Sequence, residues 1–458
     1  MKKHQNALNF AREHQQEFLN QLINLLAIES VSTDPNRKQA ILAAAEWLSR
    51  KLSTLGMDVV KIYPTHLHPV VYASKIVNPG LPTVLVYGHY DVQPEDPVNL
   101  WHSHPFHAQI RDGKLYARGA ADMKGQIMAG LAAIESILAV DELPVNLKFI
   151  YEGEEEIGSP SIKQFMENHR EELKADIVLN LDAGMIAADI PTITYALRGL
   201  AYFELTVTGP ATDLHSGIFG GIIHNPAQVL CEIIAGMKDE NNRITLPGFY
   251  DDVLPLSQLD KDELARMPQT EEILLKQTGA PALRGEAGYT LMEQNSARPT
   301  LDVNGLFSGF TGEGAKTVIP SWAMAKFSMR TVPNQRPERI EAQVKQYLQE
   351  KMPNTVTWKL KTFTGGFPSY CDPENPASKA MAAAMAEVWN TTPVLKREGA
   401  SIPIVNEMQE ILGLDSVLSG FALPDDNMHA PNEKLDLSIW EKGIESILIF
   451  LYNLASNQ

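Results

Sequence analysis

The sequence predicts a two-part α/β protein. A discontinuous α/β domain of residues 1–197 and 364–458 is interrupted by a ferredoxin-like α+β domain of residues 198–363. In the first part, short apolar runs alternate with helical patterns, which is typical of strands in an α/β sheet. From about Arg198 the strand-like segments alternate apolar and polar residues, which is typical of a sheet with one face in water. Helical patterns return after residue 375, so the chain goes back to its first domain.

Composition narrows the function classes. The chain has 458 residues and a formal charge of −17, which disfavours nucleic-acid binding because that needs a basic face. Residues 6–28 carry apolar residues at helical spacing, which predicts a charged amphipathic helix. This N-terminal pattern contains neither an apolar leader nor a membrane span, so we expect a cytoplasmic protein without membrane association. Cys231 and Cys371 are too few for a disulfide framework, and we expect two buried free thiols.

The stretch that organises the first domain begins with the apolar run Val84–Tyr87, which predicts a buried strand. Gly88 interrupts the run, and His89 therefore lies at the carboxyl end of the strand, where open α/β sheets bind ligands. Asp91 lies two residues further and can point to the same side. A carboxylate in that position suits the orientation of a metal-bound imidazole.

Asp122 directly precedes a long helical pattern, KGQIMAGLAAIESILAV. Aspartate is a favoured helix N-cap residue, so a local capping role accounts for it as well as a ligand role does. The residue by itself leaves both interpretations open.

A second strand, Asn146–Tyr151, runs into the acidic stretch EGEEEIGSP. Adjacent residues of an extended chain face opposite ways, so Glu155 and Glu156 can serve two roles, one at a metal and one at a bound water. For Glu152 and Glu154 we favour a solvated acidic turn.

Two further strands end in the same manner. Ile177–Leu181 is followed by Asp182, and Ser416–Gly420 leads into a polar loop that contains His429. Acidic or imidazole side chains after successive strands are less expected by chance than any one of them. Other histidines lie on irregular loops and are interpreted as solvated: His66, His68, His102, His104 and His107.

The inserted domain has the order β-α-β-β-α-β, which predicts a ferredoxin-like fold. Its strands are expected at Leu200–Thr208, Thr300–Leu306, Ala323–Thr331 and Thr355–Phe363, with helices at 225–237 and 336–352.

Several motifs together resemble one known family. They are GHYDVQP, RGAADMKG, EGEEEIGS, LRG, DLHSG, GAKTVIP, FSMRTVPNQ, REGASIPI and MHAPNEKL, and they run along nearly the whole chain. The sequence is similar to the co-catalytic zinc or manganese peptidases that include carnosinase, the cytosolic nonspecific dipeptidases, aminoacylase and carboxypeptidase G. The later motifs resemble the dipeptidase branch. The resemblance implies a zinc-peptidase-like catalytic domain and an inserted lid and dimerisation domain.

The resemblance also implies two divalent metal ions per subunit, with zinc as the first expectation and manganese or cobalt as alternatives. The implied ligands of one ion are His89, Asp122 and Asp182, and those of the other are Asp122, Glu156 and His429. Asp122 would bridge the two ions. The peptide bond between Asp122 and Met123 would be cis. Asp91 would support His89, and Glu155 would be the general base acting on a hydroxide that bridges the metals.

Substrate contacts are implied on the inserted domain and near the REGASIPI motif. The corresponding residues are His215, Thr317, Arg330, Gly399 and Ser401. His215 would act in the active site of the other subunit of a homodimer, and Arg330 suits recognition of a terminal carboxylate because its planar fork pairs bidentately. The resemblance therefore implies a dipeptidase that needs a free C-terminal carboxylate, with an N-acyl-amino-acid amidohydrolase using the same dimetal site as the alternative.

Overall fold

The structure is a computed structural model that describes residues 3–400 and 402–456. Its internal contacts divide the chain into two compact units. The first unit comprises Met1–Tyr195, Cys371–Lys396 and Glu407–Gln458, and the second comprises Ala196–Tyr370 and Arg397–Asn406. The segments 364–370 and 397–406, which the sequence analysis assigns to the catalytic domain, group with the second unit.

Helices occupy the segments that apolar spacing predicts, and further short helices occur where none was predicted. The helices of the described residues are α1 (Gln5–Glu13), α2 (Gln15–Leu26), α3 (Lys38–Thr54), α4 (Lys124–Leu138), α5 (Ile162–Asn168), α6 (Ser216–Phe219), α7 (Pro226–Gly236), α8 (Gln258–Ala265), α9 (Glu271–Thr278), α10 (Pro337–Lys351), α11 (Pro376–Trp389), α12 (Pro403–Glu407) and α13 (Leu437–Ser456). The short helices that were not predicted are α5, α6, α8, α9 and α12. Among all the helices of the described residues, none combines the length and apolar character needed to cross a membrane.

Strands alternate with these helices in the first unit and dominate the core of the second. The strands of the described residues are β1 (Val59–Tyr63), β2 (Val70–Lys75), β3 (Thr83–His89), β4 (Gln109–Arg111), β5 (Lys114–Tyr116), β6 (Asn146–Glu152), β7 (Ile177–Asn180), β8 (Thr192–Leu197), β9 (Gly199–Thr208), β10 (Leu214–His215), β11 (Thr300–Ser308), β12 (Val318–Ile319), β13 (Trp322–Thr331), β14 (Thr357–Gly366), β15 (Ser369–Tyr370), β16 (Val394–Glu398), β17 (Ser416–Ser419) and β18 (Lys434–Asp436).

The main sheet of the first unit has the strand order β1-β2-β6-β3-β7-β17-β8. β3 pairs in parallel with β6 and β7, and β17 pairs in parallel with β7. The central strands are buried almost along their full length, as expected for parallel strands covered on both faces. Because these four strands run in the same direction, their carboxyl ends lie along one edge of the sheet.

Helix α4 is buried along most of its length and packs with α13 in the core of the first unit. Trp440 of α13 is fully buried, and its indole Nε1 donates a hydrogen bond to the Gly125 carbonyl at 2.8 Å. A Cβ on Gly125 would lie 2.0 Å from the Ala120 carbonyl oxygen, so only glycine allows the preceding loop to pack this closely on α4. This contact positions the loop that carries Asp122.

The second unit contains an antiparallel sheet of order β11-β13-β9-β14. This strand order and the helices α7 and α10 confirm the predicted ferredoxin-like arrangement. Burial alternates residue by residue along β9 and β13, so one face of the sheet packs on the helices and the other remains partly exposed.

Two local expectations are corrected by the structure. The helical pattern near the N-terminus, expected as one element over 6–28, is two helices that meet at His14. The thiol of Cys371 is buried as expected, but Cys231 is exposed because it lies on the face of α7 opposite its buried residues.

Candidate metal centre

The side chains that the sequence analysis places after strands meet at one edge of the main sheet. β3 ends at His89, β7 ends two residues before Asp182, and β17 leads into the loop that carries His429. All three strands are parallel, so their carboxyl ends place these residues on the same side of the sheet.

Asp122 is directed into this cluster and does not cap α4. The N-cap position is Met123, and it makes no side-chain capping bond. The Asp122 carboxylate instead contacts two imidazoles, with its Oδ1 3.0 Å from His89 Nε2 and its Oδ2 2.9 Å from His429 Nε2. The peptide bond between Asp122 and Met123 is cis, which confirms the implied isomer.

Two groups of potential ligand atoms form around Asp122. Within each group, the ligand atoms all lie within 4.8 Å of one another. The groups are His89, Asp122 and Asp182, and Asp122, Glu156 and His429. The structure therefore brings together the five side chains that the resemblance implies as metal ligands, in the two implied sets.

Carboxyl groups are crowded in this cluster, and the side chains of Asp182 and Glu156 are only 19% and 2% exposed to water. Burial raises the pKa of Asp182 to about 7. Burial, followed by repulsion from Asp122, raises the pKa of Glu156 to about 8. A buried carboxylate is costly unless a cation compensates it, so the cluster fits divalent cations.

The two histidines interact with the same aspartate. The hydrogen bond to Asp122 raises the pKa of His429 to about 9. Burial opposes the charged form of His89, but hydrogen bonds to Asp122 and Asp91 outweigh it and raise the His89 pKa well above its ordinary value. Burial likewise opposes ionisation of Asp122, yet these imidazoles hold its pKa below the usual range. Imidazole nitrogens and carboxylate oxygens suit zinc, manganese and cobalt.

Asp91 is fully buried and orients three groups of the cluster. Its backbone carbonyl lies 3.1 Å from His89 Nδ1, and its Oδ1 lies 3.5 Å from the same nitrogen. Its carboxylate also accepts hydrogen bonds from the backbone N–H groups of Glu155 at 3.3 Å and Glu156 at 3.1 Å. Asp91 thus links the imidazole to the acidic turn.

Glu155 and Glu156 are neighbours on a short 3₁₀ helix, Glu155–Ile157, and not on an extended chain. The backbone argument used to separate their roles was therefore wrong. Glu156 belongs to a ligand group, whereas Glu155 lies outside both groups. Burial raises the pKa of the Glu155 carboxyl, which makes it a better proton acceptor.

The other two glutamates of the acidic stretch are buried, so their interpretation as a solvated turn was wrong. Glu152 accepts a hydrogen bond from the Tyr87 hydroxyl at 2.8 Å. Glu154 accepts hydrogen bonds from the backbone N–H groups of His68 at 2.7 Å and Ser161 at 2.9 Å. His68 is itself buried rather than solvated. Donors from distant segments make this burial possible.

The second unit holds the predicted substrate contacts. His215 and Thr317 are both exposed and lie on adjoining segments, since β10 pairs with β12 and the Ser216 N–H donates to the Thr317 carbonyl at 3.2 Å. The His215 Nδ1 accepts a hydrogen bond from the Gly217 N–H at 3.0 Å. The structure thus brings these two predicted residues together.

Arg198 interacts with both Arg330 and Gly399, and all three residues belong to the same unit. Arg330 lies on β13 opposite Thr300 and Leu200. The Arg198 Nε donates to the Gly399 carbonyl at 2.9 Å, and burial followed by the charge of Arg330 lowers the Arg198 pKa to about 10. Ser401 lies outside the described residues.

Sequence reasoning missed two residues beside the ligands, Arg118 and Glu433. Both are fully buried and paired at 2.8 Å. Arg118 lies in the motif RGAADMKG and Glu433 in the motif MHAPNEKL, and each motif also contains a proposed ligand. This closeness in sequence was the only available signal for the pair. Charged residues in loops are mostly solvated, so the sequence did not distinguish this buried pair.

Comparisons with known proteins cover nearly the whole chain. The sequence pattern of peptidase family M20/M25/M40 matches residues 85–453. The chain is 33% identical to the Cys-Gly metallodipeptidase DUG1 of Candida albicans, over 95% of this chain and 94% of that protein. It is 31% identical to the Beta-Ala-His dipeptidase of Homo sapiens, over 96% of this chain and 91% of the relative.

Solved structures agree with these sequence matches. The crystal structure of human carnosine dipeptidase 1 matches with a TM-score of 0.77 and 30% identity, over 100% of this chain and 99% of that chain. The metallo-carboxypeptidase Sso-CP2 from Sulfolobus solfataricus matches with a TM-score of 0.81 and 33% identity, over 96% and 99% of the two chains.

Proposed function

This chain belongs to peptidase family M20/M25/M40 and is a metallopeptidase, and on that premise we propose that it is a dipeptidase acting on substrates with a free C-terminal carboxylate. The observation that carries the proposal is the pair of ligand groups that share Asp122. The names of the relatives support the substrate class, since both curated proteins described above are dipeptidases.

The proposed ligands are those of the two groups. His89, Asp122 and Asp182 would hold one divalent ion, and Asp122, Glu156 and His429 the other. When bound, such ions polarise the scissile carbonyl and make water a better nucleophile. Zinc is the proposed ion, with manganese or cobalt as alternatives that the nitrogen and oxygen donors also suit.

Glu155 is the proposed general base. It lies beside the cluster without belonging to either ligand group, and burial keeps its proton affinity raised. It takes a proton from the attacking water and passes it to the leaving amine. Asp91 supports this step by bonding the backbone of Glu155 and by orienting His89.

The second unit supplies the proposed substrate contacts. Arg330 pairs with the terminal carboxylate, and Thr317, the Gly399 backbone and Ser401 complete that recognition. Guanidinium groups suit this task because they pair with carboxylates in a planar, bidentate manner. His215 supports the developing oxyanion in the active site of a partner subunit, as the family resemblance implies.

We include a homodimer in the proposal, formed through the second unit. β11 lies at one edge of its sheet, where unpaired backbone groups are open to another strand. This edge carries exposed apolar side chains at Val303, Leu306 and Phe307. A second copy of the chain would cover such an edge. The expected cytoplasmic location stays a prediction that cell fractionation would test.

The test is hydrolysis by metal-stripped protein that is resupplied separately with zinc, manganese or cobalt. The substrate panel contains free dipeptides such as Ala-Leu, the matching N-acetyl and N-succinyl amino acids, and a longer peptide with a free C-terminus. Metal-dependent cleavage of free dipeptides supports the proposal. Cleavage of only the acylated compounds would replace it with the amidohydrolase alternative, and preference for the longer peptide would replace it with a carboxypeptidase activity.

A further inference from the structure

A buried ion pair joins the loops that carry the proposed ligands of the first unit. Glu433 is 0% exposed and Arg118 is 1% exposed. Neither belongs to a ligand group. Both Glu433 oxygens are engaged: Oε2 accepts from Arg118 Nη1 at 2.8 Å and from the Gly119 N–H at 2.9 Å. Oε1 accepts from the N–H groups of Ala121 at 2.9 Å and Asp122 at 3.1 Å.

Three of these four bonds hold backbone N–H groups of the loop that carries Asp122. The loop precedes α4 and offers N–H groups outside any regular helix or strand, so another acceptor must satisfy them. The acceptor comes from Glu433, more than 300 residues away in sequence. The backbone N–H of Ala117 also donates to the Glu433 carbonyl at 3.1 Å, next to the pairing of β5 with β18.

Arg118 extends the connection to two other ligand segments. Its Nη2 donates to the Pro94 carbonyl at 3.0 Å and to the Ala430 carbonyl at 3.3 Å. Pro94 follows His89 by five residues, and Ala430 is the neighbour of His429. One buried pair therefore bonds to the segments after His89, before Asp122 and after His429.

His429 needs such support more than the other proposed ligands do. Its side chain is 55% exposed, and its backbone has a φ of 60°, in the left-handed region that a non-glycine residue adopts at a cost. It lies in a loop after β17, whereas His89 is fully buried at the end of strand β3. The Arg118 bond to the Ala430 carbonyl and the Glu433 bonds to the Asp122 loop fix the segment that directly follows His429, which restricts where the His429 imidazole can lie.

We propose that Glu433, braced by Arg118, is a positioning residue that aligns Asp122 and His429 at the position formed by Asp122, Glu156 and His429. The inference rests on the proposed function, because it assumes that these groups bind metal ions. The proposed effect of the ion pair is selective. Metal binding at the position that includes His429 depends on the pair more than metal binding at the position formed by His89, Asp122 and Asp182.

The test measures metal binding directly in the full-length chain. Metal-free protein is titrated with Co²⁺ against a competing chelator, and the visible absorption of Co²⁺ reports its coordination. Glu433→Gln preserves shape but turns one acceptor into a donor that faces backbone N–H groups. We expect the wild type to bind two ions, and the variant to bind one of them about 10–100-fold more weakly, as is common when a partner of a ligand is lost. The absorption of the other ion should be retained.

A matched control separates this effect from the loss of any buried charge. Glu286 pairs with Arg298 through two bonds of 2.8 Å, is also buried, and belongs to the second unit, so Glu286→Gln should leave both Co²⁺ affinities unchanged. If Glu433→Gln does not fold, Arg118→Lys provides the second test. It keeps a positive charge beside Glu433 but removes the fork that reaches Pro94 and Ala430, and the same selective loss is expected.

The outcomes are distinguishable. Unchanged affinities, or equal weakening of both ions, would overturn the positioning role while leaving the proposed function intact. Loss of the fold in both variants would make the pair a folding element and would also overturn it. A wild-type protein that binds no Co²⁺ would instead overturn the proposed function.

Discussion

The two units of this chain place their charged residues in different surroundings. In the first unit, His89 and the carboxylates at the ends of parallel strands are buried or half-buried, and their pKa values are shifted by burial and by one another. In the second unit, the sheet has one partly exposed face, and His215 and Thr317 are exposed. The proposed function assigns bond cleavage to the first unit and substrate recognition to the second. Changes in the two units should therefore affect different kinetic constants.

The largest expected effect comes from Glu155→Gln in the first unit. The amide cannot accept the proton. Because general-base catalysis contributes about 10²–10⁴-fold to the rate, kcat should decrease by a factor in that range. Both metal ions should remain because Glu155 is outside the ligand groups. Steady-state kinetics and metal analysis check this, with the exposed Glu167→Gln on α5 as the control. Near-normal turnover would remove Glu155 from its proposed role.

Arg330→Lys in the second unit should act mainly on KM. Replacing a bidentate fork by a single ammonium group should raise KM by about 10-fold, since a charged hydrogen bond is worth about 1.5–3 kcal/mol. The wild type should prefer Ala-Leu over its C-terminal amide, and the variant should show a weaker preference because its ammonium group still attracts the carboxylate. Arg339→Lys is the matched control, because Arg339 pairs with Asp251 and Asp252 at the surface of the same unit. A fall in kcat alone would contradict the proposed division.

Phe307→Asp tests whether β11 mediates dimerisation. Phe307 is 46% exposed on this edge strand, and a buried charge there should weaken the dimer by at least about tenfold, or about 1.4 kcal/mol. Sedimentation measures the dissociation constant, and specific activity should fall on dilution if His215 acts in trans. Leu254→Asp, an exposed apolar site elsewhere in the second unit, should not change association. Full activity of a monomer would exclude catalysis in trans.

The smallest expected effect comes from replacing either of two similar helix N-cap residues, one in each unit. Asn375 begins α11 in the first unit and accepts from the Ser378 N–H, and Asn225 begins α7 in the second unit and accepts from the Ala227 N–H. Replacing either by alanine should lower the free energy of unfolding by about 1 kcal/mol. Hydrogen exchange should lose protection in the unit that contains the altered cap. Equal loss of protection in both units would show that they unfold as one.

Much of the fold followed from apolar periodicity alone. The strands β3, β6, β7 and β17 and the ferredoxin-like order of the second unit were predicted to within a few residues. Such segments are predictable because a buried strand or an amphipathic helix carries its pattern in adjacent residues. The break between α1 and α2 at His14 was missed, because the apolar pattern continues through it.

The proposed ligands were also identifiable from the sequence, because each follows a strand or precedes a helix within a recognisable motif. The sequence alone did not distinguish a ligand role from a local structural role for these residues. Asp122 is as suitable for an N-cap as for a ligand, and only the contacts with His89 and His429 show where its carboxylate points.

The sequence by itself therefore determined the order of elements, the strand ends at which polar residues lie, and the family to which the chain belongs. Only the tertiary structure decided which charged residues are buried. The sequence does not distinguish Glu152, Glu154 and Glu433 from any glutamate of a polar loop, yet all three are buried. The physical reason is that burial of a charge depends on donors from segments far away in the chain, such as the Arg118 guanidinium that meets Glu433, and local sequence does not encode those donors.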